Sequence, residues 1–142
     1  MMAELKAKEI MQDHAVVVSP NTPLVEVVEI LINKKLSGVA VVDNNNKVVG
    51  LVSEYDCHKA MLMSSYYCDN PVYVSDIMST NFVALDPEDG IANMAIKLLE
   101  EPSNVYLVIK NEKLMGTLTR HHILKALNNN LSLCSKISKK VA

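Results

Sequence analysis

The stretch Gly50–Asp56, GLVSEYD, decides the fold, because a related stretch, Gly116–His122, GTLTRHH, occurs again in the second half of the chain. In both, an apolar run ends at a hydroxyl residue, Ser53 or Thr119, and a helix-like segment follows. A hydroxyl residue in that place is typical of a helix N-cap. The chain is therefore predicted to contain two copies of one unit.

The residues before these stretches repeat as well. Ile10–Met11 recurs as Ile77–Met78, and the turn at Pro20 corresponds to the turn at Pro87. Apolar residues then follow at i, i+3, i+4, i+7 and i+8, which predicts an amphipathic helix in each copy. The two stripes are Leu24, Val27, Val28, Leu31 and Ile32, and Ile91, Met94, Ala95, Leu98 and Leu99.

After each long helix come two apolar runs separated by a polar turn, which is the pattern of a β-hairpin. A short helix follows each hairpin, so the unit is strand, helix, strand, strand, helix, and the fold class is α+β (mixed α/β). A unit of about 55 residues buries too little surface to be stable alone, so the two are expected to pack sheet to sheet. The predicted division is a first repeat at 1–63, a connecting segment at 64–73, a second repeat at 74–128 and a C-terminal tail at 129–142.

The composition excludes several classes of protein. The 142 residues are 49% hydrophobic and 21% charged with a net charge of -2, which is typical of a soluble globular domain rather than a nucleic-acid or membrane protein. The first ten residues lack the apolar run of a secretory signal. The three cysteines, Cys57, Cys68 and Cys134, have no metal-type spacing, and their odd number favours free thiols in the cytoplasm.

No residue pattern indicates catalysis or a metal site. His121 and His122 are adjacent, so on a helix they point about 100° apart and do not favour one shared ion. Cys57 and His58 are neighbours too, without the base and orienting group that an activated nucleophile needs. The chain is predicted to be no enzyme and to require no cofactor.

The Ser53 turn is a candidate binding site. Backbone N–H groups at a helix N-terminus attract phosphate or another anion, and an acid one turn later, Asp56, can accept the hydroxyl groups of a ribose. The alternative is that Ser53 and Asp56 form an ordinary capping box, S-x-x-D. The two interpretations are compatible.

These repeats resemble the CBS domain over Glu9–Leu62 and Asp76–Asn128. The resemblance rests on Ile10–Met11 and Ile77–Met78, the two proline turns, the run Gly38–Asp43 and the two Gly-x-x-[Ser/Thr] strand ends. It implies a stand-alone tandem pair (a Bateman module) of the bacterial type, with pseudo-twofold symmetry. It also implies two clefts that bind AMP, ADP, ATP, S-adenosylmethionine or a similar adenosyl compound.

The resemblance assigns residues to each cleft. For the first cleft it implies Ser53 towards phosphate, Asp56 towards ribose and Leu51 against the base, with an opposite wall of Ile77, Met78, Pro102 and Ser103. For the second cleft it implies Thr119 with Ile10, Met11, Leu36 and Ser37. His122 departs from the family pattern, because the ribose-binding acid is missing there. Arg120 and His121 are predicted either to favour phosphate or polyphosphate in that cleft or to form a solvated first helical turn.

The leading functional hypothesis is a non-catalytic regulatory sensor that binds an adenosyl ligand and signals to a separate, unidentified protein. The alternative is a structural dimerisation module with degenerate, unoccupied clefts. A homodimer is expected because the short helices carry more apolar residues than one pair needs for its core. These residues are Ala60, Met61, Leu62 and Met63, and Ile123, Leu124, Ala126 and Leu127.

Overall fold

The structure is a computed structural model that describes residues 4–64 and 70–129. The first half contains α1 (Ala7–Ile10), β1 (Val17–Val18), α2 (Leu24–Lys34), β2 (Gly38–Val42), β3 (Val48–Ser53) and α3 (Glu54–Ser64). The second half contains α4 (Val74–Ile77), β4 (Ala84–Leu85), α5 (Ile91–Lys97), β5 (Val105–Lys110), β6 (Lys113–Thr119) and α6 (120–129). The α+β prediction is confirmed, with one short additional helix before the first strand of each repeat.

The two sheets have the same topology and register. In the first, β1 pairs with β2 in parallel and β2 pairs with β3 antiparallel, so that Gly38 lies opposite Ser53. In the second, β4 pairs with β5 in parallel and β5 with β6 antiparallel, so that Val105 lies opposite Thr119. Both antiparallel ladders shift register near the hairpin end. The repeat seen in the sequence is therefore a structural repeat.

The long helices follow their apolar stripes except at the last positions. Leu31 is buried, but Ile32 is 68% exposed, and Leu99 is 75% exposed. The prediction that the second stripe is helical to Leu99 is wrong, because α5 ends at Lys97. The carbonyl of Leu98 accepts hydrogen bonds from the Arg120 side chain instead of continuing the helix.

The short helices α1 and α4 are exchanged between the repeats. Ala7 is fully buried in the core of the second repeat, and its N–H donates to the Asp89 carbonyl at 2.8 Å. Val74 is fully buried in the core of the first repeat, and its N–H donates to the Thr22 carbonyl at 2.8 Å. Each core is thus completed by a segment that precedes the other repeat's first strand.

After each short helix, the chain pairs with a strand of the other repeat before it crosses to its own sheet. Ser79 exchanges two backbone hydrogen bonds with Leu51, at 2.8 and 2.9 Å, and Gln12 pairs with Thr117 in the same way. These contacts explain two glycines. A Cβ on Gly50 would lie 2.7 Å from Sδ of Met78, and one on Gly116 would lie 2.6 Å from Sδ of Met11, closer than any side chain tolerates.

The two sheets pack face to face. Their shared core contains the buried residues Ala40, Val48, Leu51, Val105 and Leu107. The predicted sheet-to-sheet arrangement is therefore confirmed. Within the described ranges, no helix has the length and apolar character needed to cross a membrane.

Candidate functional site

A cleft of about 780 Å³ opens between the repeats, beside the N-terminus of α3. Its first wall comes from the end of β3 and the start of α3, including Leu51, Ser53 and Asp56. Its second wall comes from the other repeat, where the crossing segment 79–83 and the loop 101–105 line it. The volume lies in the range of small-molecule sites. We refer to this cavity as the first cleft.

Ser53 and Asp56 form a complete capping box at the mouth of the first cleft. The Ser53 N–H and Oγ–H both donate to Oδ2 of Asp56 at 2.9 Å, and the Asp56 N–H donates to Oγ of Ser53 at 3.2 Å. Among the contacts of the described residues, none uses Oδ1 of Asp56. A carboxylate has about four acceptor positions, so the cap leaves acceptor capacity for a ligand hydroxyl.

The opposite wall supplies apolar surface and backbone. Phe82, Val83, Pro102 and Val105 supply the apolar side chains of this wall, and such surfaces suit the flat faces of a base. The loop is braced internally, since Oγ of Ser103 donates to the Val105 carbonyl at 3.0 Å and accepts the Val105 N–H at 3.2 Å. The cleft therefore combines an apolar slot with the Asp56 carboxylate at its edge.

The structure brings together five of the residues predicted for the first cleft, and its lining includes Leu51, Ser53, Asp56, Pro102 and Ser103. Ile77 and Met78 do not appear in the lining; they pack against the core of the first repeat. Their place in the wall is taken by the residues just after them, from Ser79 onward. Whether any of these side chains contacts a ligand stays a prediction.

The corresponding turn of the second repeat has the same shape but a different chemistry. Nδ1 of His122 accepts the Thr119 N–H at 3.0 Å and lies 2.8 Å from Oγ1 of Thr119, while the His122 N–H donates to Oγ1 at 3.4 Å. An accepting Nδ1 requires the neutral ring with its proton on Nε2. Burial lowers the pKa of His122, and the neighbouring His121 and Lys125 lower it further. A neutral imidazole here stands in for the carboxylate of Asp56.

Arg120 does not extend into solvent. Its guanidinium donates to the Glu101 carbonyl at 2.8 Å and to the Leu98 carbonyl at 3.3 Å, and it lies 5.8 Å from the centre of the Tyr106 ring. Its side chain is half-buried. Arg120 therefore braces the back of the 101–105 loop and is not part of a solvated turn. His121 is exposed. Whether either side chain binds phosphate stays a prediction.

The other residues assigned to the second cleft are distributed over three places. Ile10 and Met11 pack against the core of the second repeat, and Leu36 packs against that of the first. Ser37 lines the first cleft rather than the second.

A separate cavity of about 360 Å³ lies near the hairpin ends and is lined in part by Ala15. Ala15 is the counterpart of Phe82, so a smaller side chain occupies the equivalent crossing position.

Sequence reasoning missed several residues that line the first cleft. They are Glu54, Tyr55, Ser79, Asn81, Phe82, Val83, Glu101, Asn104 and Val105. One signal for part of this group was available. Residues 79–83 directly follow the repeated Ile-Met pair, and the match of Gly50 to Gly116 indicated a close approach there.

Cys57 is a packing residue. It is 4% exposed, and burial raises the pKa of its thiol to about 11, with Asp56 and Glu54 adding to the effect. A thiol with so high a pKa is a poor nucleophile and metal ligand. Within residues 4–64 and 70–129, no three histidine, cysteine or acidic side chains are close enough to hold a metal ion. Cys68 and Cys134 lie outside the described residues.

A comparison of the sequence with models of known protein families also finds two repeated units. A family model described as the CBS domain matches the chain twice, over residues 7–63 and 74–129. The chain belongs to the CBS domain family. The two matched ranges correspond to the two sheets and their helices.

Curated relatives with CBS domains are much longer than this chain. A homoserine O-acetyltransferase of Methanosphaera stadtmanae is 23% identical over 123 residues, which cover 86% of this chain and 24% of that protein. An inosine-5'-monophosphate dehydrogenase of Methanocaldococcus jannaschii is 28% identical over 127 residues, which cover 88% of this chain and 24% of that protein. The chain thus spans about a quarter of these relatives.

Solved CBS pairs have the same fold over nearly their full length. CBSX2 from Arabidopsis thaliana is 26% identical with a TM-score of 0.77, covering 92% of this chain and 99% of that one. A crystal structure of CBSX2 in complex with AMP has a TM-score of 0.73 at 26% identity, covering 87% and 96%. The CBS pair of protein MJ0100, in complex with 5'-methylthioadenosine and S-adenosyl-L-methionine, is 19% identical with a TM-score of 0.78, covering 90% and 99%. That last likeness concerns the fold alone.

Proposed function

We propose that this chain is a non-catalytic regulatory module that binds an adenosyl ligand in the first cleft. The observation that carries the proposal is the cleft itself, in which a carboxylate with acceptor capacity, Asp56, borders an apolar slot formed by both repeats. A ribose would donate its hydroxyl groups to Asp56, and the base would lie between Leu51 and the wall around Phe82. Because both repeats form the site, a ligand there stabilises their relative arrangement, which is how binding would be signalled to a separate protein.

The AMP complex of CBSX2 supports this proposal, since that protein shares the fold at 26% identity. The carboxylate cap is present at Asp56 and replaced by His122 in the other repeat. Adenosyl ligands are therefore expected to occupy the first cleft in preference to the second.

The test is calorimetry with adenosine on the wild type, Asp56→Ala and His122→Ala. Charge-assisted hydrogen bonds contribute about 1.5 to 3 kcal/mol each, so Asp56→Ala should lower the affinity about tenfold or more. His122→Ala removes the matching cap from the other repeat and should leave the affinity within about twofold. Equal losses in both variants would show that Asp56 acts only as a helix cap.

The second candidate function, a structural module with empty clefts, is favoured by the completeness of the Ser53 cap. It predicts no heat of binding and no thermal shift with any adenosyl compound. Binding to the folded state alone should instead stabilise it by about 2.7 kcal/mol at a hundredfold excess over Kd.

We also propose a homodimer formed through the helices. Several apolar side chains on α2, α3, α5 and α6, and Leu99 just after α5, are well exposed; those on the helices are Val25, Ile32, Leu62, Ile96 and Leu124. Of the residues predicted to supply this surface, Ile123 and Ala126 are buried instead. Sedimentation at micromolar concentration should give twice the 15.7 kDa mass of one chain, and a monomer would contradict the proposal.

We propose no turnover of nucleotides by this chain, because the cleft carries a capped carboxylate and no activated nucleophile among its described residues. The curated relatives that are enzymes are about four times longer than the matched region, so their activities are not transferred.

The cysteine pattern still favours a cytoplasmic location.

A further inference from the structure

The charged residues that line the first cleft are all acids. Glu54, Asp56 and Glu101 line the cavity, and no lysine, arginine or histidine is among its described lining residues. Glu101 and Asp56 are partly buried, so solvent screens their charges less than it screens those of surface residues. The formal charges among the described lining residues are therefore all negative.

Two groups of this turn that could bind phosphate already have hydrogen-bond partners. The Ser53 hydroxyl donates to Asp56 at 2.9 Å, and the first N–H of α3, that of Glu54, donates to the Ser37 carbonyl at 2.9 Å. The carboxylate of Asp56 already occupies the positive end of the helix dipole. A phosphate here would compete with this cap, in a cleft whose other charged lining residues, Glu54 and Glu101, are acids.

Arg120, which contacts the loop that begins at Glu101, does not offset these negative charges. Arg120 donates to the Glu101 and Leu98 carbonyls from the back of the loop and stacks over Tyr106. Its donors are directed at backbone oxygens, and it is not part of the cleft lining. Reaching a ligand would require it to give up these hydrogen bonds.

We propose that the first cleft selects adenosyl ligands whose 5' substituent is uncharged or positively charged over phosphorylated adenosines. The inference rests on the proposed function, because it concerns the selectivity of the same site. The ribose and base are recognised as above, while Glu54 and Glu101 attract a sulfonium or ammonium group and repel a phosphate. A phosphate monoester carries a charge of about -2 at neutral pH, so the acids repel it about twice as strongly as they would repel a singly charged anion.

Calorimetry with three ligands tests separately whether the cleft binds adenosyl compounds and whether it selects them by charge. Adenosine tests whether the site takes a nucleoside, and S-adenosylmethionine and AMP differ from it in the charge at the 5' position. The expected order of affinity is S-adenosylmethionine, then adenosine, then AMP, with a ratio of about tenfold or more between the first and the last. AMP binding as tightly as S-adenosylmethionine would overturn the charge selectivity while leaving the proposed function intact. If none of the three binds, the proposed function fails and the selectivity falls with it.

Charge-neutral variants identify the responsible residues. Glu101→Gln should strengthen AMP binding and weaken S-adenosylmethionine binding, each by about threefold or more, with adenosine unchanged. Glu100→Gln is the matched control, because it removes the same charge one residue away, at an exposed position outside the lining. Raising the salt concentration should reduce the difference between AMP and S-adenosylmethionine. Equal effects of the two glutamine variants would contradict a local role for Glu101.

Discussion

The two strand-to-helix turns, Gly50–Asp56 and Gly116–His122, have the same backbone arrangement and opposite charge. The N–H at the first helical position donates to the carbonyl just before the first strand of the hairpin, from Glu54 to Ser37 and from Arg120 to Asn104. The first turn then has acids at positions 54 and 56, whereas the second has bases at the matching positions 120 and 122. One scaffold thus carries a turn suited to a ligand and a turn used to hold the fold together.

The largest expected difference between the turns is in stability. Arg120→Ala removes a guanidinium that donates to two carbonyls and covers Tyr106, so the free energy of unfolding should fall by about 2 kcal/mol. Glu54→Ala changes the matching, exposed position of the first repeat and should stay within about 0.5 kcal/mol of the wild type. Urea unfolding measures both. Arg120→Lys should recover only part of the loss, since an ammonium cannot reproduce the planar donor set.

If Arg120→Ala is as stable as the wild type, the bonds to the 98–103 loop contribute nothing measurable. In that case the interpretation of the second turn as structural would be wrong. A loss of similar size in Glu54→Ala would also contradict the contrast between the turns.

A smaller difference is expected in the response to pH. Because the pKa of His122 is lower in the folded chain than in the unfolded chain, the unfolded chain takes up the proton first as the pH falls. The free energy of unfolding should therefore decrease once the pH drops below the ordinary histidine value of about 6.5 and continue to decrease until it is below the folded pKa. Protonation of Nδ1 also removes the acceptor for Thr119.

His122→Asp is the matched variant, because it gives the second turn the acid of the first and removes the imidazole at position 122. Between neutral pH and pH about 5, the wild type should lose more unfolding free energy than this variant. Urea titrations at the two pH values measure it. A difference that stays constant would show that His122 does not titrate in this range.

Much of the fold was predictable, because its signals are local. The stripe at Leu24, Val27 and Leu31 predicts α2, and the two apolar runs on either side of residues 43–46 predict a hairpin. The shift of register at Val41 and Val42 has no such signal. The exchange of α1 and α4 was not predictable in this way. Ala7 and Val74 are small apolar residues that fit either core, and only the relative placement of the sheets decides which one they enter.

The site was predictable on one side only. Ser53 and Asp56 are three residues apart on one turn, so their contact follows from helix geometry. The wall at Phe82 and Glu101 depends on how two distant segments meet. The repeats also differ there, because the counterpart of Phe82 in the first repeat is Ala15. The role of Arg120 was missed because its partners are backbone carbonyls, which have no sequence signature.

The most direct test of the account is a crystal structure of the chain grown with S-adenosylmethionine. The account predicts ligand density in the first cleft, with the ribose hydroxyl groups within hydrogen-bonding distance of Asp56 and the sulfonium group on the side of Glu54 and Glu101. Density at the Thr119 and His122 turn, with the first cleft empty, would contradict it.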